Sequence, residues 1–416
     1  MNIDTTTLLM GVTVTALGLF GYTYLGYPLV LWIVDKLTSP IRTAPDRPIR
    51  WPTVSVVISA HNEAAAIGSR IINLLEQTYP QDRLQILIGS DGSTDGTASY
   101  LAQHRFPHTQ CIAFPQRRGK ASVLNDLVAR ATGEFLVFTD ATTVFDLDAI
   151  KQLMVGFATH PSAVVVGGHL DIRSADPSKN QDGLYWRYEM FLKSHESRAG
   201  AALGVSGAIY AIRRTDYQPL PARTMADDLL EPLLIRLRTQ GDVVLHQAAK
   251  AWVAAPKRVT DEFHRRVRTG AGIVHVLFQT WPLLLPQWGK VALALWSHKA
   301  LRVAAPWLLC LAMVGNLWLL DHALYRVTFA AQLALYASAM GAGLLRPIPF
   351  VGKAAQAARY FLVLNAALAV GVVKFMFGSA TPTWNRTQRP AEPVAFPSAW
   401  TALETEQAAH EERPAA

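Results

Sequence analysis

With 416 residues, the chain has room for one sizeable α/β domain and several membrane segments. Apolar residues make up 50% and charged residues 17%, greasier than a purely water-soluble protein. The net charge of +8 suits anionic lipid or phosphate-bearing partners, but no basic run is interleaved with aromatics, which argues against a nucleic-acid binder. The two cysteines, Cys111 and Cys310, lie in different kinds of segment and suggest neither a disulfide framework nor a metal site.

Leu8 to Val34 carries no charge and exceeds the ~20 apolar residues that span a bilayer. No basic residue precedes it and no small-residue cleavage site follows, so it reads as an anchor and not as a signal peptide. Lys36, Arg42, Arg47 and Arg50 come directly after it. The positive-inside rule then puts the N-terminus outside and the following domain in the cytoplasm.

From Trp51 the pattern changes. Thr53 to Ala60 is a buried β-branched strand, and Ala64 to Thr78 a helix with Ile67, Ile71, Leu74 and Leu75 at helical spacing. Leu84 to Ser90 is the next strand, Thr94 to Gln103 the next helix. A short strand near Cys111, a helix from Gly119 to Ala131 and a strand from Glu134 to Thr139 follow. A helix near Asp148 to Phe157 and a strand from Ala163 to Gly167 close the unit. Such alternation predicts an α/β domain with a mostly parallel sheet and ligands at the carboxyl ends of its strands.

The polar motifs fall at those ends. The first strand ends in Ser59-Ala60-His61-Asn62-Glu63 and the second in Asp91-Gly92-Ser93-Thr94-Asp95-Gly96-Thr97. Carboxylates beside glycines at a strand end accept hydrogen bonds from a base or ribose while the backbone turns tightly. The same run also reads as a turn in which Ser93 or Thr94 caps the next helix. Arg117, Arg118 and Lys120 flank Gly119 at a helix start, where anions such as a diphosphate are favoured. Phe138-Thr139-Asp140-Ala141-Thr142-Thr143 offers a carboxylate for a ribose hydroxyl or for a divalent cation on phosphates, Mg2+ or Mn2+. Met225-Ala226-Asp227-Asp228-Leu229-Leu230-Glu231 puts two carboxylates before an apolar helix. Asp228 or Asp227 could take a proton from an acceptor hydroxyl, or the pair could serve the helix dipole.

Asp261 to His275 is amphipathic, with Phe263, Val267, Gly270 and Val274 on one face and Arg265, Arg266 and Arg268 on the other, the pattern of an interfacial helix. Three further membrane segments follow, Val303 to Leu320, Val327 to Leu345 and Tyr360 to Gly378, making about four transmembrane helices. The tail from Ala391 reads as disordered. The expected organisation is 1–50 anchor and linker, 51–258 catalytic-type domain, 259–300 interfacial helices, 301–380 membrane helices and 381–416 tail.

In this order the motifs resemble the family 2 glycosyltransferases with a GT-A (Rossmann-like) fold, over about residues 20 to 390. The resemblance also takes in Tyr24-Leu25-Gly26-Tyr27-Pro28, Asn125, Gly207 to Arg214, Arg265-Arg266-Val267-Arg268-Thr269 and Trp384-Asn385-Arg386-Thr387. It implies Glu63 and Asp91 at the nucleoside, Lys120 near the base or phosphates, and Asp140 at the first position of a D-x-D motif. Gly207 falls in the donor-sugar and acceptor region, Asp228 matches the base, and Arg265 and Arg268 match the arginine-bearing Q/R-x-x-R-W motif. Two positions depart from the family: Thr142 replaces the second D-x-D carboxylate, the usual metal ligand, and Thr269 replaces the tryptophan that processive synthases place near the acceptor. The implied partners are a nucleotide sugar, a saccharide or lipid-linked acceptor, membrane lipids and an envelope-biosynthesis complex. The implied location is multi-pass in the inner membrane. A processive polysaccharide synthase and a non-catalytic nucleotide-sugar-binding subunit are the alternatives.

Overall fold

The computed structural model describes residues 4–37, 50–173, 181–254 and 259–381. Arg42, Arg47, the Trp384 to Thr387 motif and the tail lie outside the described residues. The chain opens with α1 (Thr5–Gly21), a π-helical stretch (Tyr22–Gly26) and α2 (Tyr27–Leu37). The domain that follows runs β1 (Val54–Ala60), α3 (Ala64–Leu75), β2 (Leu84–Asp91), α4 (Thr97–Gln103), β3 (Thr109–Phe114) and α5 (Lys120–Val128). It continues with β4 (Phe135–Asp140), β5 (Val144–Phe145), α6 (Ala149–Thr159), β6 (Ala163–Arg173), α7 (Gln181–Arg198), β7 (Tyr210–Arg213), α8 (Asp227–Thr239) and β8 (Asp242–Ala254). Then come α9 (Val259–Gln279), α10 (Lys290–Ala294), a second π-helical stretch (Leu295–Ala300), α11 (Leu301–Trp318), α12 (Ala323–Met340), α13 (Ala342–Leu345) and α14 (Val351–Met376).

The strands form one sheet in the order β3-β2-β1-β4-β7-β6-β8-β5. β1 is buried at every residue, as a central parallel strand covered on both faces must be. Its alternation divides the core. Val54, Val56 and Ile58 pack with Ile67, Ile71 and Leu74 of α3, whereas Val57 packs with Val123, Leu124 and Leu127 of α5. The register sets Val54 beside both Leu84 and Phe135, so β1, β2 and β4 end together at Ala60, Asp91 and Asp140.

The expected mostly parallel sheet holds for β3-β2-β1-β4 and for β6 with β8. β7 runs against both β4 and β6, and β5 against β8, so the sheet is mixed. The reason is local. The chain enters β7 through the Ser206–Ile209 turn, beside the carboxyl end of β4, and has to run back along it. That entry sets Ala208 against β4, where Thr139 Oγ1 donates to the Ala208 carbonyl at 2.7 Å.

Among the described residues three helices are long and apolar enough to cross a membrane: Thr5–Leu37, Lys290–Trp318 and Val351–Met376. The expected fourth segment is helical over α12 but does not join them. Arg326 lies within it, and Gln332 is buried there, donating to the Leu309 carbonyl at 2.9 Å. α9 packs on α14 with backbones nearly touching. A Cβ on Gly270 would meet Leu368 O at 3.0 Å, and one on Gly371 would meet Ala271 N at 2.8 Å. Gly272 faces elsewhere and lets α9 approach Ala226, whose Cβ would stand 3.1 Å from a Cβ at that position. The arginine-bearing helix is thereby set against the start of α8.

Candidate active site

The loops after β1 and β2 are stitched to one another. Asn62 N–H donates to Ser93 Oγ (3.1 Å), Thr94 N–H to Asn62 Oδ1 (2.8 Å) and Glu63 N–H to Thr97 Oγ1 (2.9 Å). Asp95, not Ser93 or Thr94, supplies the side-chain acceptor at the start of α4, accepting from Thr97 N–H at 3.1 Å and also from Ala64 N–H of α3 at 3.1 Å. Glu63 is half-buried beside this loop.

Asp91 is fully buried. Its Oδ1 accepts from Arg118 N–H at 2.7 Å and its Oδ2 from Gly119 N–H at 2.9 Å. The basic loop can lie there because Gly92 has φ +58°, and any Cβ on it would stand 2.5 Å from Arg117 N. Arg118 turns outward to pair with Asp126 and lie over the Phe114 ring, 4.2 Å from its centroid. Lys120 turns inward.

Lys120 Nζ bridges two carboxylates, Asp140 Oδ1 at 3.0 Å and Asp227 Oδ2 at 2.9 Å. Burial disfavours its charge, but the two carboxylates outweigh burial and hold its pKa above the usual lysine value. Asp228, the next residue, accepts from Gly207 N–H at 3.2 Å. Burial, and then the Asp227 carboxylate, raise its pKa; Lys193 and Lys120 oppose the rise. Arg268 of α9 interacts electrostatically with Asp227, Asp228 and Asp140, and Arg265 lies within its field. Three carboxylates, Lys120 and Arg268 therefore converge at the carboxyl edge of the parallel strands. Gly207 adjoins them: a Cβ there would stand 3.3 Å from Asp228 Cβ.

Other side chains around the site were not among the expected site residues. Arg70 is buried behind Asp140, donating to Asn73 Oδ1 at 2.5 Å and Thr139 Oγ1 at 2.9 Å, and burial lowers its pKa to about 9. Lys193 of α7 acts electrostatically on Asp228. Glu231 stands one helical turn beyond Asp227, accepts from Tyr210 OH at 2.6 Å and is pushed up to about 8 by burial. The i, i+4 spacing from Asp227 could have flagged it. Asn125 of α5 works as a clamp: its Oδ1 accepts from Tyr217 OH at 2.6 Å and Leu220 N–H at 2.9 Å.

For a divalent cation the donor set is lean. The Asp140 side chain is 45% exposed and Thr142 offers a hydroxyl. No group of three or more His, Cys, Asp or Glu side chains is suited to a metal among the described residues. Oxygen donors of this type fit Mg2+ or Mn2+ when phosphates and water complete the shell. Thr269 gives its hydroxyl to the Arg265 carbonyl at 3.0 Å, within α9.

Carboxylates and cations are thus gathered at the strand ends of a mixed sheet. Residues 55–218 match the family model described as glycosyl transferase family 2. The poly-beta-1,6-N-acetyl-D-glucosamine synthase of Staphylococcus epidermidis (strain RP62A) is 25% identical over 238 residues, 56% of this chain and 57% of that protein. The protein of the same name in Staphylococcus aureus (strain COL) is 23% identical over 265 residues, 60% of this chain and 63% of the relative. The chain thus matches somewhat over half the length of these curated relatives. A solved mannosyltransferase from Pyrobaculum calidifontis, in complex with GDP-Man and Mn2+, superposes with a TM-score of 0.66 at 25% identity, covering 88% of this chain and 99% of that one.

Proposed function

We propose that the protein is a membrane-bound inverting glycosyltransferase. It moves a sugar from a nucleotide-sugar donor, UDP-linked, to a saccharide or lipid-linked acceptor in envelope or exopolysaccharide synthesis. The observation that carries this reading is the convergence of Asp140, Asp227 and Asp228 with Lys120 and Arg268 at one sheet edge. Asp228 takes the proton of the acceptor hydroxyl as that oxygen attacks the anomeric carbon in line. Its raised pKa makes it a stronger base than a free carboxylate. Asp227 orients Lys120 and is the second candidate for the base. Lys120, Arg268 and Arg265 take up the charge of the departing nucleoside diphosphate. Glu63 and Asp91 border the nucleoside, and Gly207 leaves room for the donor sugar beside the base. A divalent ion held at Asp140, with Thr142 in place of a second carboxylate, supplies further charge neutralisation to the diphosphate when bound.

The three apolar helices support membrane anchoring, and Lys36 and Arg50 after the first support a cytoplasmic domain at the inner membrane. Thr269 in place of tryptophan favours transfer of a single sugar. The name of the staphylococcal relatives favours the second reading, a processive polysaccharide synthase. A panel of UDP- and GDP-sugars against the full chain in lipid nanodiscs, with and without Mn2+, tests donor, metal use and chain length together. Turnover of one donor, retained in part without Mn2+ and strengthened by Thr142→Asp with Mn2+, is expected. Donor binding without turnover of any sugar would overturn the enzymatic reading in favour of a non-catalytic subunit of an envelope complex.

A further inference from the structure

α7 carries Glu189, Lys193 and Glu196 at i, i+4 and i+7, one face of the helix. The two carboxylates are buried, 7% and 1% exposed. Their partners come from the apolar segments. His298 Nδ1 lies 2.7 Å from Glu196 Oε1 and its Nε2 3.2 Å from Glu189 Oε2. Tyr27 OH donates to Glu196 Oε1 at 2.9 Å, and the Arg302 guanidinium pairs with Glu189. Tyr27 follows the first π-helical stretch and His298 lies in the second, the kind of irregularity that recurs at functional positions in helices.

Lys193, between the two glutamates on that face, points the other way in function. Its Nζ donates to the Val205 carbonyl at 2.8 Å. Val205 N–H in turn donates to the Asp228 carbonyl at 3.1 Å, and Gly207 N–H to Asp228 Oδ2 at 3.2 Å. α7 therefore joins two sets of contacts: Glu189 and Glu196 tie it to the apolar segments, and Lys193 ties it to the backbone that holds Asp228.

We propose that Lys193 is a positioning residue for the transfer: it holds the Val205 to Gly207 segment against Asp228 and keeps a positive charge beside that carboxylate, while the Glu189, Glu196, His298 and Arg302 joint fixes its helix to the membrane segments. The catalytic part of this rests on Asp228 being the base. The groups facing Asp228 are Asp227 and Tyr210, Lys120 from α5, Lys193 from α7 and Arg268 from α9. Lys193 and Lys120 both favour the charged form of Asp228, against burial and Asp227.

The test compares the full chain in nanodiscs with Lys193→Met, Lys193→Gln and Lys193→Arg. Asp228 is titrated by carboxyl 13C NMR, its signal assigned by loss in Asp228→Asn, alongside the pH dependence of turnover. Without the cation, Lys193→Met moves the Asp228 midpoint up by about one pH unit. It also lowers kcat roughly tenfold with the donor KM within about twofold. Lys193→Gln, which keeps a donor for Val205 without the charge, shifts the midpoint equally but loses less kcat; Lys193→Arg restores the midpoint. An unmoved midpoint in both neutral variants overturns the proposal, as does an arginine variant displaced as far as the methionine one. Wild-type protein that turns over no nucleotide sugar refutes the enzymatic reading instead, and the midpoints still decide the role of Lys193.

Discussion

Glu231→Gln isolates one buried acid whose charge the fold opposes. Glu231 is 1% exposed, and burial, then Asp227, lift its pKa from 4.5 to about 8 despite the hydrogen bond from Tyr210. Between those two values the folded chain keeps a proton that the unfolded chain has released. The stability this group contributes is full below pH 4.5 and is lost as pH rises through about 8, at a slope of up to about 1.4 kcal/mol per pH unit. Glutamine never ionises and can still accept from Tyr210 OH, so the variant lacks that slope. The two proteins should melt close together at pH 5. By pH 8 the variant should be ahead by a few kcal/mol, roughly 5–10 °C in Tm for a domain of this size. Thermal unfolding in detergent, followed by tryptophan fluorescence at pH 5, 6.5 and 8, reads the gap directly. A gap that stays constant with pH, or one that widens in favour of the wild type, would refute the neutral-acid account of Glu231.

Two more substitutions probe the walls of the site. Asp91→Asn sets an amide N–H against one of the two N–H groups of Arg118 and Gly119 that now reach the carboxylate; a loss of about 2–3 kcal/mol is expected, with weaker UDP binding by calorimetry. Unchanged stability and affinity would mean that the basic loop holds itself. Gly207→Ala puts a Cβ 3.3 Å from Asp228 Cβ and should cut kcat about tenfold or more with little change in Tm; a matching loss in donor binding alone would place the effect in the ground state.

Much of the first half of the fold was legible because β1, β2 and β4 are short, predominantly apolar runs, as parallel strands covered on both faces require. Their strand-end motifs were legible for the same reason. β7 was hidden because Tyr210–Arg213 is only four residues long and emerges from a glycine- and alanine-rich turn. α7 was hidden because its buried face is charged: Glu189, Lys193 and Glu196 pair with groups more than a hundred residues away, or with backbone, and so break the apolar periodicity that marks a helix. Arg70 was silent likewise, since its partners Thr139 and Phe145 belong to β4 and β5 and only the folded sheet brings them together. The Asp227-Asp228 pair was visible, but the division of labour between them was not. Lys120 takes Asp227 and Gly207 takes Asp228, a partition set by tertiary contacts.

That partition is where the account is most exposed. Asp228→Asn and Asp227→Asn, each in the full chain in nanodiscs, are compared with wild type for sugar transfer from the active donor and for nucleotide affinity. With Asp228 as the base, Asp228→Asn should lose about a thousandfold in kcat while binding the nucleotide as tightly as wild type. Asp227→Asn should lose less and should weaken nucleotide binding by freeing Lys120. Transfer that survives in Asp228→Asn would contradict the account.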